Sequence, residues 1–232
     1  MLDDNELETV PMRAQAYQAH LLIDECNFDD TKSLTSWRSD GGELLRKTLK
    51  KDRFTIWLSG NHLGVLPVYD HFDASMTIVQ YDAHLDLYHL HDCQRELSHG
   101  NFLRDIASPM PMIHQIGHRD LFLAPSETTA IFRTIHPATG AIPEVAKLVP
   151  TGPIWLDIDC DVFDPAYFPA VTQPLPFGLS PRELLQSWQG LDWSRVVGVS
   201  LSEFEPGRDR DDRSLSSLIW LLEYMLLRVY EP

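Results

Sequence analysis

Short apolar runs alternate with helix-like patterns along this chain. Runs rich in Ile, Val, Leu and Trp at Thr55–Leu58, Thr77–Asp82, Met112–Gly117, Ile154–Asp159 and Val196–Ser202 read as strands, with a further one near Leu21–Asp24. Helical patterns cover Gly42–Lys51, Asn101–Ala107, Ser126–Thr134, Pro181–Gln189 and Ser214–Val229. The helix from Pro181 has Ser180 as its N-cap, proline at its first position and Glu183 three residues after the cap. The last helix gathers Leu215, Leu218, Ile219, Leu222, Met225, Leu226 and Val229 on one face. Strands separated by helices need crossover connections, which predicts an α/β fold: three layers, α/β/α, around a mainly parallel sheet. No repeat, low-complexity tract or Gly/Ser linker interrupts the pattern, so residues 1–232 read as one domain. In such sheets ligands bind at the carboxyl ends of the strands, so functional residues should follow strands directly.

Composition narrows the function classes. A hydrophobic fraction of 44% and a charged fraction of 23% are ordinary for a soluble globular protein. No window has the roughly 18–20 uncharged apolar residues of a membrane span, and the acidic first twenty residues do not read as a secretory signal. The net charge of −15 argues against nucleic acid or an anionic membrane as partner, and two divalent cations would change it only to −15 + 4 = −11. Three widely spaced cysteines, Cys26, Cys93 and Cys160, argue against a disulfide framework or a thiolate zinc site, and point to the cytoplasm. The expected partner is a small-molecule substrate; self-association into a homo-oligomer is left open.

The chemistry concentrates after the strands. Asp82, His84 and Asp86 follow the second strand at spacing i, i+2, i+4, which puts them on one face of an extended segment. Two carboxylates and an imidazole make a hard-to-borderline site, suited to Mn²⁺ and similar metals. In IWLDIDCDVFDP, Asp157, Asp159 and Asp161 alternate onto a common face of an otherwise apolar segment. Carboxylates so crowded repel one another, and burying them unpaired is costly; a cation removes both problems. Simpler roles exist for two of this run: Asp157 as a helix cap, and Asp164 with Pro165 as a turn. His62 in LSGNHLG, the segment IGHRD with His118, and Glu203 in SLSEFEPGRD follow the first, third and fifth strands.

These motifs resemble those of the ureohydrolases, the family of arginase, agmatinase and formimidoylglutamase. The family's Gly-Gly-Asp-His loop is similar to Ser59-Gly60-Asn61-His62, its Asp-Ala-His-x-Asp motif to Asp82–Asp86, and its Asp-x-Asp-x-x-Asp-Pro motif to Asp159–Pro165. The resemblance implies an arginase-like fold and two divalent metal ions, Mn²⁺ above all. Asp82 and Asp159 would bridge them, His62 and Asp86 would complete one site, and His84 and Asp161 the other, leaving Asp157 outside the ligand set. His99, thirteen residues after Asp86, is similar to the family's proton-shuttling histidine, and Glu203 to the carboxylate that binds the substrate's guanidinium. The implied activity is hydrolysis of a guanidino or amidino C–N bond.

Departures from the family pattern bear on the substrate. Asn61 and Leu63 replace an aspartate and a serine beside the first histidine. Tyr88 and Arg95 stand where arginase has an asparagine and a serine for the α-amino-acid end of its substrate, so arginine is not expected. Arg95, His118 and Tyr88 are the candidates for contacting a different substrate. The chain is also shorter than typical members, chiefly before the first histidine, which would reshape the site. Two rival readings are a deacetylase-type amide hydrolase, which would use a His-His pair absent here, and a non-catalytic metal-binding domain.

Overall fold

β-Branched and aromatic residues fill six strands: β1 (Thr55–Leu58), β2 (Thr77–Tyr81), β3 (Met112–His118), β4 (Phe132–Pro137), β5 (Ile154–Asp159) and β6 (Val196–Ser202). Every residue of β2 and β5 is buried, as expected of strands covered on both faces. The computed structural model describes residues 22–23, 33–50, 53–88, 97–107, 109–119, 128 and 130–230. Residues 34–232 form one compact unit; of residues 1–33, only 22, 23 and 33 are among the described ones.

The strands pair in the order β1-β6-β5-β2-β3-β4, all parallel. From β2 the chain moves outward through β3 to β4, then returns to place β5 on the other side of β2, and proceeds outward again to β6. The order therefore reverses between β2 and β5, and the crevice outside their carboxyl ends is the ligand position that such a sheet provides. Among the described residues five helices accompany the sheet: α1 (Leu34–Thr48), α2 (Leu66–His71), α3 (Val145–Leu148), α4 (Pro181–Ser187) and α5 (Arg213–Tyr230). The result is the expected α/β/α architecture, with a sheet that is wholly parallel. α4 starts with a complete capping box, Ser180 accepting from the Glu183 N–H while the Glu183 carboxylate accepts from Ser180 N at 2.8 Å. α5 lays Leu218, Leu221 and Met225 onto a core that includes Leu156, Ile158, Phe163, Phe168 and Trp188.

The short helices α2 and α3 were not anticipated, and other elements depart from the sequence reading. α1 begins at Leu34 rather than Gly42, presenting Trp37, Gly41 and Leu45 inward at helical spacing and tied to α2 by Arg38 Nη2 donating to Asp70 Oδ1 at 2.7 Å. The helix expected over Asn101–Ala107 is a single tight turn, Phe102–Asp105, after which Ile106 is extended. Of the helix expected over Ser126–Thr134, residues 132–134 instead open β4; much of the rest lies outside the described residues. The strand near Leu21–Asp24 also lies outside them, save for Leu22 and Ile23, which belong to no strand.

Candidate metal centre

Each strand end around the switch point delivers a polar side chain into the same crevice. Just past β1, Asn61 caps a short turn by accepting from the Leu63 N–H at 2.9 Å, and this turn carries His62 inward. Asp82 and Asp86 follow β2, with Asp86 held at φ +48°, a left-handed conformation that aspartate tolerates better than most residues. β5 ends at Asp159, whose side chain accepts from the Asp161 N–H at 2.9 Å and so curls the chain to bring Asp161 alongside. Glu203 follows β6, also left-handed at φ +62°.

The side chains form two groups that share one residue. His62 Nδ1 lies 3.2 Å from Asp82 Oδ2, 2.8 Å from Asp86 Oδ2 and 3.1 Å from Asp159 Oδ2. His84 Nδ1 lies 2.8 Å from Asp161 Oδ2 and 3.7 Å from Asp82 Oδ1. Asp82 thus offers one oxygen to each group, and both triads, His62/Asp82/Asp159 and Asp82/His84/Asp161, are tight enough to hold a metal ion. Asp159 belongs to the first triad only.

The site's electrostatics ask for cations. Burial, then the charges of Asp86 and Asp161, pushes the Asp82 carboxyl up to about 8. Asp159 is raised well above the ordinary carboxylate range by burial and by Asp161. Burial disfavours a charged His84, but its hydrogen bond to Asp161 and the charges of Asp161, Asp82 and Asp86 together outweigh this and lift it to about 9. His62 Nδ1 and Asp86 Oδ2 are buried and make no hydrogen bond, although they stand 2.8 Å apart. A buried imidazole nitrogen and a carboxylate oxygen without hydrogen bonds, facing the oxygens of Asp82 and Asp159, is the arrangement that a bound cation satisfies.

Outside this ring lies a layer of polar residues, of which the sequence had singled out Asp157 alone. Gln80 Nε2 donates to Asp82 Oδ2 at 3.1 Å, and Gln115 Nε2 to the Asp82 carbonyl at 2.7 Å. Asp157, on the same face of β5 as Asp159, accepts from Tyr69 Oη at 2.6 Å and from Ser200 Oγ, and meets His62 Nε2 at 3.0 Å; it caps no helix. Arg119, in the IGHRD segment, donates to the carbonyls of Asp161 at 2.5 Å, Val162 at 3.1 Å and Leu175 at 2.9 Å, fixing the turn that carries Asp161. The signal for Gln80 and Gln115 was present: an amide inside a buried apolar strand needs a polar partner.

A family model described as the arginase family matches residues 15–227. This chain belongs to the arginase family. An agmatinase from Bacillus cereus is 28% identical over 199 residues, 80% of this chain and 67% of that protein. An uncharacterized 32.2 kDa protein from Methanothermus fervidus is 27% identical over 193 residues, covering 79% of this chain and 67% of its own length. The arginase-family chain thus spans about two thirds of these relatives. Two solved structures share its fold: the agmatine ureohydrolase of Thermoplasma volcanium (TM-score 0.71, 19% identity, 94% of this chain and 83% of that one) and the formimidoylglutamase of Bacillus subtilis (TM-score 0.69, 20% identity, 87% and 69%).

Two further residues of this arginase-family site face each other. His99 Nδ1 stands 3.1 Å from Glu203 Oε1, which also accepts the His62 backbone N–H at 2.9 Å. The hydrogen bond to Glu203, opposed by partial burial, raises the pKa of His99 above the usual imidazole range. Burial disfavours an ionised Glu203, but the bonds from His99 and His62 outweigh it and hold its pKa below the ordinary glutamate value. Tyr88 packs its ring over Gly100, beside His99, and donates its backbone N–H to the Gly100 carbonyl at 2.9 Å. His118 closes β3, one strand further out from β2, and its carbonyl accepts the Ala138 N–H at 3.0 Å. Arg95 lies outside the described residues.

Proposed function

We propose that this chain is a hydrolase that uses two divalent cations, Mn²⁺ by preference, to cleave a guanidino or amidino C–N bond of a small molecule other than arginine. The observation that carries this reading is Asp82, which turns one carboxylate oxygen toward each of two adjacent donor groups. Relatives named agmatinase, and a fold shared with a formimidoylglutamase, support the substrate class. His62, Asp82, Asp86 and Asp159 would hold one metal, and Asp82, His84 and Asp161 the other. Such a metal pair supplies, when bound, a water ionised near neutral pH as the nucleophile.

The chain's own residues do the remaining work. Glu203, ionised and facing the crevice, binds the planar cation of the substrate by charge-assisted hydrogen bonds. His99, kept protonated by Glu203, gives its proton to the leaving amine. Burial of the centre keeps bulk water from competing and strengthens each electrostatic contact. Tyr88, His118 and Arg95 remain candidates for contacts to the part of the substrate away from the reacting carbon. Among the described residues no helix is long and apolar enough to cross a membrane. The cysteine pattern supports a cytoplasmic setting, and Cys160, free and buried, fits it.

The test is metal analysis of Mn²⁺-loaded protein, combined with assays for urea, ammonia and acetate release across guanidino, amidino and acyl-amide compounds. Two equivalents of metal with urea or ammonia release is the expected result. Acetate release would favour the deacetylase-type reading, and two metals without turnover on any compound a structural role. Failure to bind metal would overturn the assignment.

A further inference from the structure

We propose that Asp157 is a positioning residue that sets the ring of His62 for metal binding and makes the His62 side the tighter of two metal positions. The proposal rests on the metal-centre reading above and adds to it a residue that contacts no metal. Asp157 is completely buried, at the middle of the sheet. Its Oδ1 takes the hydroxyl of Ser200 on β6, and its Oδ2 takes Tyr69 Oη at 2.6 Å, so the carboxylate is anchored from two elements before His62 is considered. His62 Nε2 then meets Asp157 Oδ2 at 3.0 Å.

An imidazole has two nitrogens, and the bond made by one decides what the other can do. With the Nε2 proton directed to Asp157, the lone pair of Nδ1 must face Asp82, Asp86 and Asp159, whose oxygens lie 2.8–3.2 Å away. An anionic acceptor behind the ring also makes the imidazole a stronger donor to a cation than a neutral acceptor would. Phe102 fixes the ring plane, meeting His62 edge-on at 5.0 Å between centroids and Tyr69 at 5.6 Å. The other imidazole is built differently: His84 Nδ1 turns to Asp161 and Asp82, and among the described residues no carboxylate lies behind its other nitrogen. Two metal positions that share Asp82 should therefore differ in affinity, with the His62 side filling first.

Titration of the metal-free full-length protein with Mn²⁺, following free Mn²⁺ by electron paramagnetic resonance, tests this. Wild type should show two steps; His62→Ala should abolish the tighter and Asp161→Ala the weaker. Asp157→Asn, which keeps the shape and removes the charge, should weaken the tighter step by about 10–100-fold and leave the weaker step unchanged. Tyr69→Phe removes one anchor of Asp157 but keeps its charge and its contact with His62, so it should weaken the tighter step by less than Asp157→Asn does and leave the weaker step unchanged. If Asp157→Asn does not fold, Ser200→Ala loosens the same carboxylate from its other side and should weaken only the tighter step. Unchanged affinities in whichever of these two variants folds, or loss of the weaker step instead, would overturn the proposal. A wild type that takes up no Mn²⁺ would overturn the metal centre itself, a result distinct from two metal steps that ignore Asp157.

Discussion

His99 Nδ1 sits 3.1 Å from Glu203 Oε1, and this one contact ties the candidate proton donor to the candidate substrate anchor. Glu203 raises the pKa of His99, so His99 stays protonated to a higher pH than a free imidazole and loses its proton only as pH climbs past that raised value. Turnover that needs protonated His99 should fall on the alkaline side. In Glu203→Gln the charge is gone, and the alkaline limb of the kcat profile should move to lower pH, toward the ordinary value of 6.5. His99→Ala should lower kcat by about 10²–10⁴-fold, the usual share of a positioned general acid. An alkaline limb that stays in place in Glu203→Gln would show that the contact does not govern the proton.

Asp82 serves two donor groups where its neighbours serve one. Asp82→Ala should therefore cost both metals, whereas Asp86→Ala and Asp161→Ala should each cost one. Elemental analysis of dialysed protein reads this directly. Asp82→Ala protein that still holds one full equivalent would mean that the two groups are independent.

The candidate ligands were legible in the sequence because strand ends and spacing are local properties. Asp82, Asp86, Asp159 and Asp161 each sit within a few residues of an apolar run whose strand character is plain, and parallel pairing brings those ends together. The layer behind them depends on long-range contacts. Asp157 meets His62, Tyr69 and Ser200, which come from three other elements, and no spacing in the chain announces such a meeting. β4 was hidden for a different reason: it is an edge strand, FRTIHP, whose exposed positions admit Arg133, and a proline is tolerated at its end. The first turns of α1 were hidden because Gly41 weakens a helical pattern; Gly41 is nonetheless buried on the inner face of the helix.

Removing the metals should make stability depend on pH in a definite direction. Asp82 and His84 are raised in the metal-free fold, from 3.8 to about 8 and from 6.5 to about 9. Between about pH 4 and 9 the folded state then holds protons that the unfolded chain has released, so stability falls as pH rises. Asp161, whose pKa is lowered, loses its contribution only below the ordinary carboxylate range, outside this window. Chelator-treated protein should melt at a lower temperature at pH 9 than at pH 6. The gain in melting temperature on adding Mn²⁺ should be larger at pH 9, because fewer protons have to be displaced. A metal-free melting temperature that rises between these pH values would contradict the buried carboxylate cluster.

Two glycines give opposite expectations for the same change. A methyl group on Gly198, in β6, would meet Trp155 Cζ3 at 2.4 Å and the Thr55 carbonyl at 2.6 Å, a clash with both the indole and the β1 backbone. Gly198→Ala should cost about 1–3 kcal/mol or more, since neither the indole nor the paired strand has room to retreat. It should also disturb the register that carries Glu203 to the strand ends. Gly42 in α1 has nothing within 4 Å of an added methyl, and its helical backbone suits alanine. Gly42→Ala should stabilise the protein by about 0.5–1 kcal/mol. Denaturant unfolding of the two variants beside wild type reads both signs in one experiment, and a stable Gly198→Ala would mean that β1 and β6 are not packed as closely as the contact at Gly198 requires.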